Sequence, residues 1–149
     1  MRRLQLTFAL LALPLAGCTR WDVFGVGDRD FEGYYAYAGT VDGIVGDAVI
    51  GSFTVTQQRG GRASVAIDWE YLERGQTVIQ ITTDQPADAR LSGDGRITFD
   101  FEGDLYLGDD VVRFRLEHDG RLRGNTMTGF WRLSTDLPTD DGGSFTASR

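Results

Sequence analysis

The side chain best suited to acid–base chemistry in this sequence is its single histidine, His118. A catalytic histidine needs a carboxylate that orients it and a nucleophile within hydrogen-bonding distance. Asp119 follows directly, but consecutive residues of a strand point to opposite faces. Because Asp119-Gly120 is typical of a turn, we predict that His118 lies exposed at the end of a hairpin and is not catalytic.

Two pairs of carboxylates have a spacing that could serve glycosidic-bond hydrolysis. Asp68 and Glu70 lie two residues apart, as do Asp100 and Glu102. Along one strand this spacing corresponds to about 7 Å, a separation at which two carboxylates can share acid and base roles. Both pairs alternate with large apolar residues, so we expect them to face solvent. A hydrolase is therefore the least favoured function.

The sequence contains no recognisable metal or nucleotide site. One cysteine and one histidine cannot form a zinc site or a disulfide framework. The acidic loops around Asp104–Asp110 and Asp136–Asp141 do not match the spacing of a calcium loop. The glycine pairs at 60–61 and 142–143 are expected to form turns, because no helix follows them. We predict that the protein uses no cofactor.

The remaining reactive group is the thiol of Cys18, the one cysteine in the chain. Arg2 and Arg3 precede an apolar stretch, Leu4 to Ala16. A membrane-spanning helix needs about 20 apolar residues, so this stretch is too short and is typical of a signal peptide. It ends in Leu15-Ala16-Gly17-Cys18.

This string resembles the lipobox of bacterial lipoproteins. The resemblance implies that the Cys18 thiol receives a diacylglyceryl group, that cleavage occurs between Gly17 and Cys18, and that the new amino terminus is acylated, for example with palmitate. Two or three acyl chains would hold the protein at a bilayer, since one chain alone binds only marginally. Thr19, in place of aspartate, favours the outer membrane if the cell is Gram-negative. We expect a lipid-anchored protein of the bacterial cell envelope.

Composition and charge exclude several other classes of protein. Hydrophobic residues make up 41% of the 149-residue chain, so disorder throughout is not expected. The net charge is −7, from 22 acidic and 15 basic residues. Nucleic acids and anionic membrane surfaces bind basic faces. On net charge alone, neither is an expected partner of the folded domain.

From Phe31 onward, apolar and polar residues alternate with a period of two between Gly- and Asp-containing turns, which indicates an all-β fold. We predict strands at 33–39, 47–57, 62–72, 76–83, 88–92, 96–103, 111–118, 121–133 and 143–148. The short links favour a small antiparallel up-and-down meander barrel of about eight strands, because closure removes exposed edges. A β-sandwich is the alternative. The predicted organisation is a signal peptide at 1–17, the lipidated cysteine and a tether at 18–30, and one barrel domain at 31–149.

Three turns allow the strand register to be predicted. A three-residue loop Glu73-Arg74-Gly75 would place Trp69 opposite Ile79 and Ile67 opposite Ile81. The turn Gly93-Asp94-Gly95 would place Leu91 opposite Ile97. A loop centred on Leu107 and Gly108 would pair Phe101 with Phe114 and Phe99 with Leu116 inside the barrel, and Asp100 with Arg115 and Glu102 with Arg113 outside.

Aromatic side chains predicted to face inward are the candidate lining of a ligand pocket. They are Tyr35, Phe53, Trp69, Tyr71, Phe99, Phe101 and Phe114, together with either Phe130 or Trp131. We favour a packed core, because eight strands leave little spare volume. In architecture the mature part resembles the small barrels of lipocalins and avidins, which implies a carrier of a small apolar ligand as the alternative. The lipocalin Gly-x-Trp motif is absent: the first strand has Gly33-Tyr34-Tyr35.

These observations favour a non-enzymatic envelope lipoprotein. We expect it to contact the lipid bilayer through acylated Cys18 and to act through its barrel surface on an envelope protein or a cell-wall partner. The alternative is a lipocalin-like carrier of a small apolar ligand, and an envelope hydrolase ranks third.

Overall fold

The computed structural model describes residues 30–107, 109–137 and 140–149. The strands are β1 (Gly33–Thr40), β2 (Ala48–Gln57), β3 (Arg62–Glu73), β4 (Gln76–Thr82), β5 (Ala87–Leu91), β6 (Arg96–Leu107), β7 (Asp110–Arg123), β8 (Thr126–Thr135) and β9 (Asp141–Ser148). The predicted signal peptide, Cys18 and the tether before Asp30 lie outside the described residues. Within the described part of the chain, no helix is long and apolar enough to cross a membrane.

Eight of the strands close into an antiparallel barrel. The order around the barrel is β1, β2, β3, β5, β6, β7, β8 and β9, and β9 pairs with β1. The ninth strand, β4, pairs with the second half of β3, whose first half pairs with β5. The predicted small meander barrel is confirmed, with β4 as an addition to its wall.

Alternate turns of this meander lie at the same end of the barrel. At one end, which we call the terminal end, the chain enters at Asp30 and leaves at Arg149. There the Leu91 N–H donates to Gly61 O at 2.8 Å, and the Arg149 N–H donates to Asn125 O at 3.0 Å. At the opposite end, which we call the loop end, the Asp42 N–H donates to Gly142 O at 2.8 Å.

One aromatic-rich cluster fills the inside of the barrel. Trp69, Tyr35 and Phe53 are among its largest fully buried side chains. Phe31 is also fully buried at the terminal end, where its carbonyl accepts a hydrogen bond from the Tyr35 hydroxyl at 2.9 Å. The alternation of the sequence therefore produces one continuous core, because every strand turns its apolar face inward.

Close strand packing depends on glycine at Gly51. This residue faces Tyr37 on β1 and Trp69 on β3. Its φ is 148°, and a Cβ placed there would collide with the carbonyl oxygen of Asp68. Only glycine fits this combination of backbone conformation and close approach.

Two of the predicted registers are wrong by two residues. The β3–β4 turn contains two residues, Arg74 and Gly75, with φ values of 49° and 83°, so Glu73 faces Gln76, which shifts the register by one residue. Positive φ at both positions is typical of a type I′ hairpin. A bulge at Tyr71 and Leu72 adds the second residue of the shift, so that Trp69 faces Ile81.

The β6–β7 hairpin shows the same two-residue error. Its end pair is Leu107 with Asp110, so Phe101 faces Leu116 and Phe99 faces His118. A shift of two residues keeps every side chain on its predicted face. Burial of the aromatic residues is thus confirmed despite the wrong partners. The predicted pairing of Leu91 with Ile97 is confirmed as well.

The predicted turn at Asp119-Gly120 is wrong. Strand β7 runs through these residues to Arg123, and the turn lies at Gly124 and Asn125. A Cβ at Gly120 would lie 3.0 Å from Met127 Sδ and from Phe145 Cζ. Gly120 therefore makes room for core side chains, which is why a glycine stands in the middle of this strand.

Candidate functional site

The aromatic residues predicted to line the interior form a network of ring contacts. All seven are buried, and the eighth is Trp131, because Phe130 faces outward and is 69% exposed. Ring centroids are 5.0 Å apart for Tyr35 and Phe53 and 5.5 Å apart for Trp69 and Trp131. Such contacts are characteristic of a packed core. A role for these side chains in lining a ligand site stays a prediction.

His118 lies inside the barrel, and its predicted exposure is wrong. It is 3% exposed and stacks on Phe99 with a centroid distance of 4.8 Å. The edges of Tyr37 and Phe145 contact the same imidazole, each at 5.6 Å. Burial lowers the pKa of His118 to about 3, because a charged imidazole loses its hydration there. His118 is therefore neutral at neutral pH.

Three buried side chains carry polar atoms without a hydrogen-bond partner among the described residues. We call Tyr37, Trp69 and His118 the interior polar cluster; the four atoms are Tyr37 Oη, Trp69 Nε1 and both His118 ring nitrogens. Burial raises the pKa of Tyr37, and the nearby Trp69 indole offsets part of this increase without reaching hydrogen-bond geometry. Buried polar groups are usually paired, so the interior polar cluster is an exception within this core.

The two carboxylate pairs lie on the outside of the barrel, away from His118. Asp68 accepts a hydrogen bond from the Thr82 hydroxyl at 2.9 Å, and Glu70 accepts one from Thr77 at 2.8 Å. The structure thus does not bring either carboxylate of β3 together with the imidazole.

The second carboxylate pair is shared by Arg115. Its guanidinium lies 3.2 Å from Asp100, 3.6 Å from Glu102 and 3.3 Å from Glu117. In the described part of the chain, no three His, Cys, Asp or Glu side chains are grouped so that they could hold a metal ion.

The outer wall of β5–β8 contains an open groove of about 750 Å³. Charged side chains of both signs line it, including Arg62, Asp88, Arg90, Glu117 and Arg132. This lining differs from that of a pocket for an apolar ligand, which is mainly hydrophobic.

Basic residues are concentrated at the terminal end. Residues 30–33, 57–62, 90–96, 121–126 and 147–149 contain seven arginines and three acidic residues. The arginines are Arg59, Arg62, Arg90, Arg96, Arg121, Arg123 and Arg149. The net charge of −7 for the whole chain gives no indication of this local excess of arginine.

Acidic residues dominate the loop end. The described residues of 41–48, 73–76, 105–112 and 134–141 contain eight carboxylates and one arginine, Arg74. The carboxylates belong to Asp42, Asp47, Glu73, Asp109, Asp110, Asp136, Asp140 and Asp141. Burial together with the negative charges of Asp141 and Asp47 raises the pKa of Tyr71 to about 12. The loop end is therefore a region of negative potential.

Large apolar side chains are exposed among these carboxylates. Val45 is 100% exposed, and Ile44, Tyr106, Val111 and Leu137 are also exposed. We call the carboxylates and these five side chains the loop-end rim. Sequence reasoning missed it because the contributing loops are far apart in the chain and come together only when the meander closes.

Comparisons with known proteins give little further information. No protein-family model and no curated protein matches the sequence. Among solved structures, the chain is similar to a redesigned β-barrel, mFAP1, bound to DFHBI, with a TM-score of 0.48 and 10% sequence identity. The similarity covers 79% of this chain and 94% of that chain.

Proposed function

We propose that the protein is a lipid-anchored, non-enzymatic envelope lipoprotein that binds a partner protein through its loop-end rim. The observation that carries the proposal is the separation of the two ends. The chain enters the barrel at the terminal end, so the tether from acylated Cys18 would attach there. The loop-end rim then lies at the opposite end of the barrel, where a partner can reach it.

The chemistry of the rim indicates the kind of partner. Exposed apolar side chains next to charged ones are typical of protein-binding surfaces. Eight carboxylates against one arginine favour a basic partner, since opposite charges accelerate encounter and orient the complex. We therefore expect a partner surface with Lys or Arg around an apolar patch that receives side chains such as Val45.

The packed interior supports an outward-facing function. The seven aromatic side chains predicted to line a pocket are buried against one another. A barrel of eight strands has an interior that such side chains can fill. Its outer surface and its loops are then the parts available for recognition.

Site-specific crosslinking in the producing cells tests the proposal. A photoreactive residue at Val45 should crosslink to one partner protein, whereas the same residue at Thr56, exposed on β2 near the terminal end, should not. Reversing the charge with Asp109→Arg and Asp110→Arg should abolish the Val45 crosslink. Equal crosslinking from Val45 and Thr56, or a Val45 crosslink that survives the charge reversal, would contradict the proposal.

A second candidate, a carrier of a small ligand, is favoured by the interior polar cluster. A flat, mainly apolar molecule with one donor and one acceptor could satisfy Tyr37, Trp69 and His118. Native mass spectrometry of the protein purified from its own envelope tests this function. A bound mass of a few hundred daltons, absent from His118→Phe, supports a carrier, and a ligand-free mass for both proteins contradicts it.

A further inference from the structure

We propose that the terminal end is a docking surface for anionic lipid headgroups, which orients the anchored barrel on the membrane. The inference deepens the proposed function, because it assigns a partner to the end that the lipid anchor would hold near the bilayer. Its test below uses a chain without acyl groups, so it does not depend on the anchor.

Four of the seven terminal-end arginines have no ion pair among the described residues. Arg96, Arg121 and Arg149 are paired with Asp119, Asp94 and Asp30, respectively. The unpaired arginines are Arg59, Arg62, Arg90 and Arg123, and all four are exposed. Their guanidinium groups are free to bind phosphate in a bidentate manner.

Two of these arginines face each other across neighbouring strands. Arg62 of β3 lies directly opposite Arg90 of β5. Like charges in this arrangement repel each other, and no carboxylate lies within ion-pair distance of either side chain in the described part of the chain. A bound anion would relieve this repulsion, so the pair is a favourable contact for a phosphate group.

In the proposed function, acylated Cys18 would tether this end to the membrane. Eleven residues lie between Cys18 and Asp30, and an extended chain over these twelve Cα–Cα steps spans roughly 40 Å. Attraction to a charged surface extends over about 8 Å at physiological salt. A tether of this length therefore permits direct contact between the terminal end and the headgroups.

Two further features favour the same orientation. Tyr34, the second residue of β1, is 63% exposed near the terminal end, and tyrosine is enriched at membrane interfaces. The carboxylates of the loop-end rim would be repelled by the same anionic surface. Attraction at one end and repulsion at the other both turn the loop-end rim away from the membrane.

Vesicle binding tests the inference directly. The chain from residue 18 with Cys18→Ser contains the whole barrel and lacks an acylation site. It should bind vesicles in which one third of the phosphatidylcholine is replaced by phosphatidylglycerol, and not vesicles of phosphatidylcholine alone. Raising the salt concentration to about 0.5 M should abolish the binding, because salt screens this attraction.

Matched double variants locate the binding surface. Arg62→Gln with Arg90→Gln should weaken vesicle binding about 25-fold, roughly five-fold for each arginine. Arg74→Gln with Arg113→Gln changes the net charge equally near the loop end and should alter binding less than two-fold. Equal weakening by both variants, binding to neutral vesicles, or no binding to anionic vesicles at low salt would overturn the inference. Loss of palmitate labelling in full-length Cys18→Ala tests the anchor separately.

Discussion

At the residue scale, His118 couples stability to pH. Its pKa is about 3 in the folded barrel against 6.5 for an ordinary histidine. Between these values the unfolded chain binds a proton that the folded chain excludes. This contribution to stability is therefore complete above about pH 6.5 and is lost as the pH falls towards 3.

We predict that His118→Phe removes this pH dependence. For the natural protein, the free energy of unfolding should fall by about 1.4 kcal/mol per pH unit below pH 6.5 from this group alone. Urea unfolding measures the free energy of unfolding of both proteins at about pH 7 and about pH 4.5. Between these two pH values the natural protein should lose roughly 2–3 kcal/mol more than His118→Phe loses. Parallel losses in both proteins would show that His118 is not a buried neutral base.

The placement of His118 was accessible from the sequence, but a competing signal obscured it. His118 lies an even number of residues from Val112, Phe114 and Leu116, so its side chain points to the same side of the strand, which is the inside of the barrel. The Asp119-Gly120 pair suggested a turn instead. Glycine serves two purposes in strands, tight turning and close packing, and the sequence alone does not distinguish them at Gly120.

At the element scale, alternation predicted the faces of the strands but not their exact partners. A one-residue slip exposes the core and is therefore excluded, whereas a two-residue slip leaves Phe101 and Phe114 inside. The length of the turn, together with any bulge beside it, decides between such registers. Arg74 adopts a φ of 49° and completes a two-residue turn. Because Arg74 is not a glycine, the sequence contains no signal for a positive φ at this position.

The close packing of β2 and β3 gives a prediction at this scale. Gly51→Ala should destabilise the barrel by roughly 3 kcal/mol, because a Cβ strains the backbone and meets the carbonyl of Asp68. Gly60 also has a positive φ, 78°, but nothing lies within 4 Å of its Cβ position. Gly60→Ala should therefore cost only about 1 kcal/mol. Thermal unfolding of both variants measures the difference, and equal losses would contradict the packing role of Gly51.

At the scale of the whole molecule, net charge concealed a separation of charge. Seven arginines collect at the terminal end and eight carboxylates at the loop end. Counting alternate turns of the nine predicted strands would not have revealed the separation, because β4 and β5 both run antiparallel to β3, which shifts every later turn to the wrong end. The total of −7 contains no such information. The exposed apolar side chains of the loop-end rim were not evident from the sequence either, because no loop contributes more than two of them.

The proposed lipid anchor predicts covalent lipid on Cys18, the one cysteine in the chain. In cells supplied with labelled palmitate, the natural protein should incorporate the label and Cys18→Ala should not, because the variant has no thiol to receive a diacylglyceryl group. Electrophoresis of the two purified proteins measures this directly. Equal labelling of both proteins, or no label in the natural protein, would refute acylation at Cys18.

The central claim is that the anchored barrel holds its terminal end at the membrane and its loop-end rim away from it. Fluorophores attached through Asn125→Cys, at the terminal end, and through Val45→Cys, at the loop end, test this in the acylated protein on anionic vesicles, where Cys18 is blocked by its lipid. A quencher carried on the lipid headgroups should strongly reduce the emission from position 125 and leave that from position 45 nearly unchanged. Equal quenching at the two positions, or stronger quenching at position 45, would contradict the account.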